Sequence, residues 1–97
     1  MSGGRAPGSE ALRTVTIVNA RGLHARAAAK FVELARQFTA EITVSRDGVA
    51  VSGLSIMGLM MFAAGPGSTL RIEANGDDAE AAVAALATLV EARFHES

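Results

Sequence analysis

The chain has two histidines, and His24 occupies the more informative position. It lies in the segment GLHAR, residues 22–26, where an amphipathic helix is predicted to begin. The N–H groups of a first helical turn lack intrahelical partners and that end is partly positive, so an anion is stabilised there. The same field disfavours the imidazolium and leaves a neutral ring nitrogen that can attack phosphorus. This pattern favours acceptance of a phosphoryl group.

Arg26 is a second candidate, because its planar fork of donors suits phosphate better than a lysine would. The surrounding charge agrees: residues 11–30 contain four basic side chains and no acid, whereas residues 73–96 contain six acids and one arginine. A locally positive face around His24 favours a phosphorylated or acidic partner surface.

Other interpretations of His24 stay open at this stage. A lone histidine at a helix start is often only an exposed N-terminal residue. A metal site needs further ligands, but His95 stands alone near the C-terminus and cysteine is absent. A Ser-His-Asp hydrolase needs an oriented base and an oxyanion hole, for which no residues can be assigned.

The segment SIMGLMMF, residues 55–62, contains three of the four methionines. Its apolar side chains are either core or, on the outward side, an adaptable docking patch, since methionine repacks around different partners. Ser55 is either a helix N-cap or a phosphorylation site. Phosphate there would place charge in an apolar interface and so switch binding off.

The elements that must position these residues follow from periodicity. Residues 14–18 and 69–74 alternate as half-buried strands, and residues 41–46 and 49–51 form a hairpin around the Asp47-Gly48 turn. Apolar positions at three- and four-residue spacing predict a helix over residues 25–38. A last helix is predicted to open at Asp77, with Glu80 completing a capping box, and its apolar stripe comprises Ala79, Ala82, Val83, Leu86, Val90 and Phe94.

The predicted order is therefore β-α-β-β-(short α)-β-α. Each long helix has one apolar face and each strand one apolar side, which favours an α+β open sandwich: a four-stranded, mainly antiparallel sheet with the helices on one face. Residues 1–12, rich in Gly and Ser, are expected to be a disordered tail, and residues 13–95 the folded domain.

Composition excludes several classes of protein. At 97 residues the chain is one domain, too small for a large internal active-site cavity. A net charge of −1 and four aromatic residues, all Phe, argue against a nucleic-acid groove. Absence of cysteine fits a reducing compartment, and no apolar run is long enough for membrane insertion. We expect a cytoplasmic protein without signal peptide, cofactor or metal.

The segments GLHAR and, about thirty residues later, LSIMGLM together resemble HPr, the histidine-containing phosphocarrier family of the bacterial phosphoenolpyruvate-dependent phosphotransferase system. The similarity runs from about Thr14 to Phe94. It implies an HPr-like open-faced sandwich that takes a phosphoryl group from phosphorylated enzyme I and passes it to an EIIA-type protein. It also implies that His24 is the phosphohistidine, bonded through Nδ1, and that Arg26 holds the phosphate.

The resemblance implies two further features. In the branch regulated by an HPr serine kinase/phosphorylase, the target serine precedes Ile-Met-Gly and is therefore Ser55. Partners in the family dock on the start of the first helix and on the short helix. The resemblance therefore implies these partner-contact residues: Leu23, Ala25, Ile56, Met57 and Met60.

The chain departs from the family pattern at Ala27, where proline is common. Alanine restores a backbone N–H in the first helical turn but loses the fixed φ of proline. The HARA pattern resembles nitrogen-related or proteobacterial regulatory branches more than dedicated sugar uptake.

Two other functions compete with the carrier. A regulatory module could bind proteins on the same face without relaying phosphate; retention of both His24 and Arg26 argues against it. A small phosphate-ester hydrolase would need a general base near His24, and none is apparent.

Overall fold

In the computed structural model the described chain runs from residue 9 to residue 96. The elements follow in the order β1 (Ser9–Thr16), α1 (Ala25–Ala35), β2 (Glu41–Arg46), β3 (Val49–Ser52), α2 (Ile56–Met61), β4 (Thr69–Gly76) and α3 (Ala79–Glu91), with a 3-10 turn at Arg93–His95. The predicted order of elements is confirmed.

The four strands form one sheet in the order β1-β4-β2-β3, and every neighbouring pair is antiparallel. The predicted alternation sets the register. Val15 of β1 lies opposite Leu70 of β4, and Val44 of β2 lies opposite Ile72, so these β-branched and aliphatic side chains share one buried face. The α+β open-faced sandwich is confirmed.

The core lies between that face of the sheet and the helices. Helix α3 packs against β1 and β4 and contacts α1, which in turn contacts α2. The fully buried large side chains include Ile17, Phe31, Val44, Leu59, Leu70, Ile72, Leu86, Val90 and Phe94. The whole predicted stripe of the last helix is buried, although Phe94 lies in the 3-10 turn beyond α3.

The first strand begins earlier than predicted. Residues 9–12, which the sequence predicts to belong to a disordered tail, pair with β4, and Ser9 lies opposite Gly76. Of these four residues only Ala11 and Leu12 are apolar, and Leu12 is exposed, so the segment shows no clear apolar alternation. An edge strand with one solvated face needs few apolar residues. Residues 1–8 of the expected tail lie outside the described residues.

Two helix boundaries also differ from the prediction. Helix α1 ends at Ala35 rather than Phe38. Helix α3 is preceded by Asp78 rather than Asp77, and no side-chain capping bond forms, so the predicted capping box with Glu80 is wrong. The Asp78 carboxylate instead accepts hydrogen bonds from the backbone N–H groups of Thr39 at 2.9 Å and Ala40 at 2.8 Å. A long-range contact thus replaces the local cap.

No helix among residues 9–96 is long and apolar enough to cross a membrane.

Candidate functional site

A tight connection between β1 and α1 sets the position of His24. Gly22 has φ +66°, and a Cβ atom there would overlap the Ala64 carbonyl oxygen, so only glycine fits. The N–H of Leu23 donates to that same carbonyl at 2.9 Å. The loop after α2 therefore holds the residues that lead into α1.

His24 is the N-cap residue of α1, with extended backbone angles. The first backbone bond of the helix runs from the N–H of Ala28 to the carbonyl of His24 at 2.8 Å. The amides of Ala25, Arg26 and Ala27 consequently have no intrahelical partner and lie at the positive end of the helix dipole. Ala25 and Arg26 are exposed there, whereas Ala27 is fully buried. The predicted location of His24 at an open helix start is correct.

The ring of His24 is less free than expected. Its side chain is 15% exposed, and Nε2 contacts the Glu96 carboxylate oxygen Oε2. The same Oε2 accepts a bond from the Asn19 amide at 3.0 Å. These contacts hold the pKa of Glu96 below its ordinary value; the hydrogen bond with His24 is the main cause, with smaller contributions from Asn19 and from the charge of Arg21.

Asn19 connects this arrangement to the turn before α1. Its side chain is only 1% exposed, and its amide nitrogen also donates to the Gly22 carbonyl at 2.9 Å. Its Oδ1 has no hydrogen-bond partner among the described residues. Asn19 therefore links the turn before α1 to the Glu96 carboxylate.

An open cleft of about 270 Å³ surrounds the ring. Its lining consists mainly of cationic and imidazole side chains: Arg21, His24, Arg26, Lys30, His95 and Glu96. The structure thus brings the predicted pair His24 and Arg26 to one site and supplies the expected positive surroundings. His95, expected to stand alone, lies in the same cleft. Among residues 9–96, no group of three or more His, Asp or Glu is placed to hold a metal ion.

The short helix α2 presents most of its apolar side chains to solvent. Met57 is 71% exposed, and Ile56 and Met60 are also exposed, whereas Leu59 is buried. The Ser55 hydroxyl accepts a bond from the N–H of Gly58 at 2.9 Å, so the N-cap interpretation is confirmed.

Of the five predicted partner contacts, Leu23 is misplaced: it is 4% exposed and belongs to the core. The other four, including Ala25, are exposed. Leu23 points inward because its backbone is fixed on the Ala64 carbonyl at the edge of the core.

Asn19 and Glu96 are site residues that the sequence did not reveal. Asn19 was interpreted as a turn residue and Glu96 as one acid among several near the C-terminus. Their contact joins residues 77 positions apart, and no local spacing encodes it. The three adjoining positive-φ residues, Arg93 to His95, give no sequence signal either, since glycine is absent there.

Comparisons with known proteins agree with the geometry. A family model described as the PTS HPr component phosphorylation site matches residues 11–92. The phosphocarrier protein HPr of Cupriavidus necator is 49% identical over 84 residues, covering 87% of this chain and 94% of that protein. The phosphocarrier protein NPr of Shewanella violacea is 46% identical over 85 residues, covering 88% and 93%.

A solved structure is similar as well. The crystal structure of HPr-C-His from Thermoanaerobacter tengcongensis matches with a TM-score of 0.85 and 41% identity, covering 90% of this chain and 98% of that one.

Proposed function

The chain belongs to the HPr family of phosphocarrier proteins, and we propose that it takes a phosphoryl group from phosphorylated enzyme I on His24 and passes it to an EIIA-type protein. The proposal rests above all on the position of His24 at the open start of α1, within a cleft that also contains three cationic side chains. Such a site stabilises an incoming anion and keeps a nucleophilic nitrogen beside it. The protein acts as a carrier rather than a catalyst.

Arg26 is proposed as the residue that holds the phosphate. It is exposed on the first turn of α1 and lines the cleft with His24. Ala27 is fully buried, so the N–H that it has in place of the proline common in the family is not exposed to an incoming phosphoryl group. The backbone donors at the positive end of α1 are therefore the amides of the exposed Ala25 and Arg26.

The test is transfer of label from phosphoenolpyruvate through enzyme I. We expect wild-type protein to acquire an acid-labile, base-stable phosphoryl group and His24→Ala to acquire none. His95→Ala is the matched control, since His95 lines the same cleft, and it should still be labelled. Labelling that survives in His24→Ala contradicts the assignment. If wild-type protein is not labelled but still binds a partner, the alternative of a binding module without relay is favoured.

Docking and regulation are proposed for the surface next to the cleft. Ala25 on α1 and Ile56, Met57 and Met60 on α2 are exposed, and the two helices contact each other, so these residues are proposed as the largely apolar surface that contacts enzyme I and EIIA-type proteins. Ser55 adjoins it, so phosphorylation by an HPr serine kinase/phosphorylase would add charge at its edge and weaken docking. Family membership supports a cytoplasmic relay, in either the sugar or the nitrogen branch.

A further inference from the structure

The chain makes an unusual turn immediately after α3. Arg93, Phe94 and His95 all have left-handed backbone angles, with φ of 60°, 54° and 59°. Three consecutive non-glycine residues of this kind carry a steric cost, so the rest of the fold must hold them. Phe94 does so by full burial, and Lys30 of α1 donates from Nζ to the Phe94 carbonyl at 2.7 Å.

Glu96, the residue that follows this turn, contacts the ring of His24. The match to the family model ends at residue 92, so the turn and Glu96 lie outside the matched segment. Glu96 contacts His24 at Nε2, and buried Asn19 donates a hydrogen bond to the same carboxylate oxygen. A strained segment pinned at two points and ending on the reactive side chain indicates a role in the chemistry rather than in packing alone.

The contact has a definite consequence for the protons of the ring. The lowered pKa of Glu96 means that its carboxylate is ionised near neutral pH. An ionised carboxylate only accepts hydrogen bonds. The nitrogen that faces it, Nε2, must therefore carry the hydrogen. A neutral imidazole has a single N–H, so Nδ1 is left with its lone pair. The His24 side chain makes no capping bond to its own helix, which leaves that lone pair available.

We propose that Glu96 is a positioning residue for phosphoryl transfer: through Nε2 it fixes the orientation and the tautomer of His24, so that Nδ1 attacks phosphorus. The inference rests on the proposed function of His24. In the transfer step, the Nδ1 lone pair forms the N–P bond while the bond between phosphorus and the phosphoryl donor breaks. The electron pair of the broken bond stays on the donor. The Nε2 proton does not leave. The positive charge that develops on the phosphorylated ring is balanced by the Glu96 carboxylate.

The other charged groups around the ring complement this role. Arg21, Arg26 and Lys30 line the cleft together with His95, and Glu96 is the one carboxylate of that lining. The cleft therefore keeps a positive surplus for the incoming phosphoryl oxygens, while the single acid is engaged with Nε2. Glu96 thus acts on the ring without cancelling the attraction for phosphate.

The experiment compares wild-type protein with Glu96→Gln and with the matched control Glu91→Gln, which neutralises an exposed acid at the end of α3. First, nitrogen-15 NMR of the unphosphorylated proteins reads the tautomer of His24. We expect predominantly Nε2–H in wild type and in the control, and a marked rise of the Nδ1–H form in Glu96→Gln. A merely structural role would not move this ratio.

Second, the initial rate of labelling by enzyme I and phosphoenolpyruvate should fall about tenfold in Glu96→Gln and stay unchanged in Glu91→Gln, with circular dichroism confirming that all three proteins are folded. Predominantly Nδ1–H in wild type overturns the inference, as does a Glu96→Gln rate within about twofold of wild type. Its failure is distinct from failure of the proposed function, because His24→Ala would still abolish labelling.

Discussion

In the proposed transfer, a phosphoryl group arriving at His24 would meet donors of two kinds. The amides of the first turn of α1 are fixed by the backbone, whereas the guanidinium of Arg26 projects from an exposed position on that turn. Fixed donors need no reorganisation as charge moves onto the site. A guanidinium at the end of a long side chain can follow the phosphate as it leaves. In the proposed transfer the amides would therefore define the place of the phosphoryl group, and Arg26 would adjust to it.

Arg26 can be tested by separating its charge from its geometry. Because hydrogen bonds to charged groups contribute about 1.5–3 kcal/mol, Arg26→Ala should slow labelling by about 10- to 160-fold. Arg26→Lys keeps the charge but loses the fork, so its rate should lie between wild type and Arg26→Ala. Initial rates of transfer from enzyme I measure the effect, and thermal melts serve as the control because alanine favours an exposed helix. Equal rates for all three proteins would reduce Arg26 to an ordinary surface residue.

The helices and strands whose apolar residues recur with a clear period could be predicted from the sequence, but the residues at which they begin and end could not. The apolar spacing around Phe31 identified α1, and the Asp47-Gly48 turn identified the β2-β3 hairpin. The start of α3 was misplaced because Asp77 and Asp78 are equivalent in sequence, and the tertiary bonds to Thr39 and Ala40 decide between them. Within the site, His24 and Arg26 could be named from their neighbours, but Glu96 is brought there only by the turn that Phe94 anchors.

Helix α2 permits a test of regulation with a closely matched pair of variants. Ser55 caps this helix, and Asp and Asn are both good N-caps of nearly the same shape. Ser55→Asp adds a negative charge beside exposed Ile56 and Met57, whereas Ser55→Asn does not. We expect Ser55→Asp to slow acceptance from enzyme I by about tenfold, equivalent to about 1.4 kcal/mol of docking energy, and Ser55→Asn to match wild type. Indistinguishable rates for the two variants would mean that charge at this position does not control docking.

At the scale of the whole molecule, the candidate site depends on the two ends of the fold meeting. The strand order β1-β4-β2-β3 places β1 next to β4, and α3 packs across both. The chain that leaves α3 therefore returns to the junction after β1, where Asn19 and His24 lie. Periodicity predicts the existence of these elements, but the strand order that creates this meeting depends on contacts between residues far apart in sequence.

Asp78 connects two further parts of the molecule, and its titration should appear in global stability. The hydrogen bond from the Thr39 N–H is the main cause that holds its pKa below the ordinary 3.8, and the Ala40 N–H adds to the effect. Because the pKa of Asp78 is lower in the folded state, the ionised carboxylate stabilises the fold at every pH above its ordinary pKa. This stabilisation is lost as the pH falls through the lowered pKa of the folded state. Asp78→Asn should therefore melt a few degrees below wild type at pH 7, and the two curves should converge toward pH 2. Glu96 titrates in the same direction but is present in both proteins, so the difference between their melting temperatures isolates Asp78. A difference that persists undiminished at pH 2 would show that the carboxylate charge is not its source.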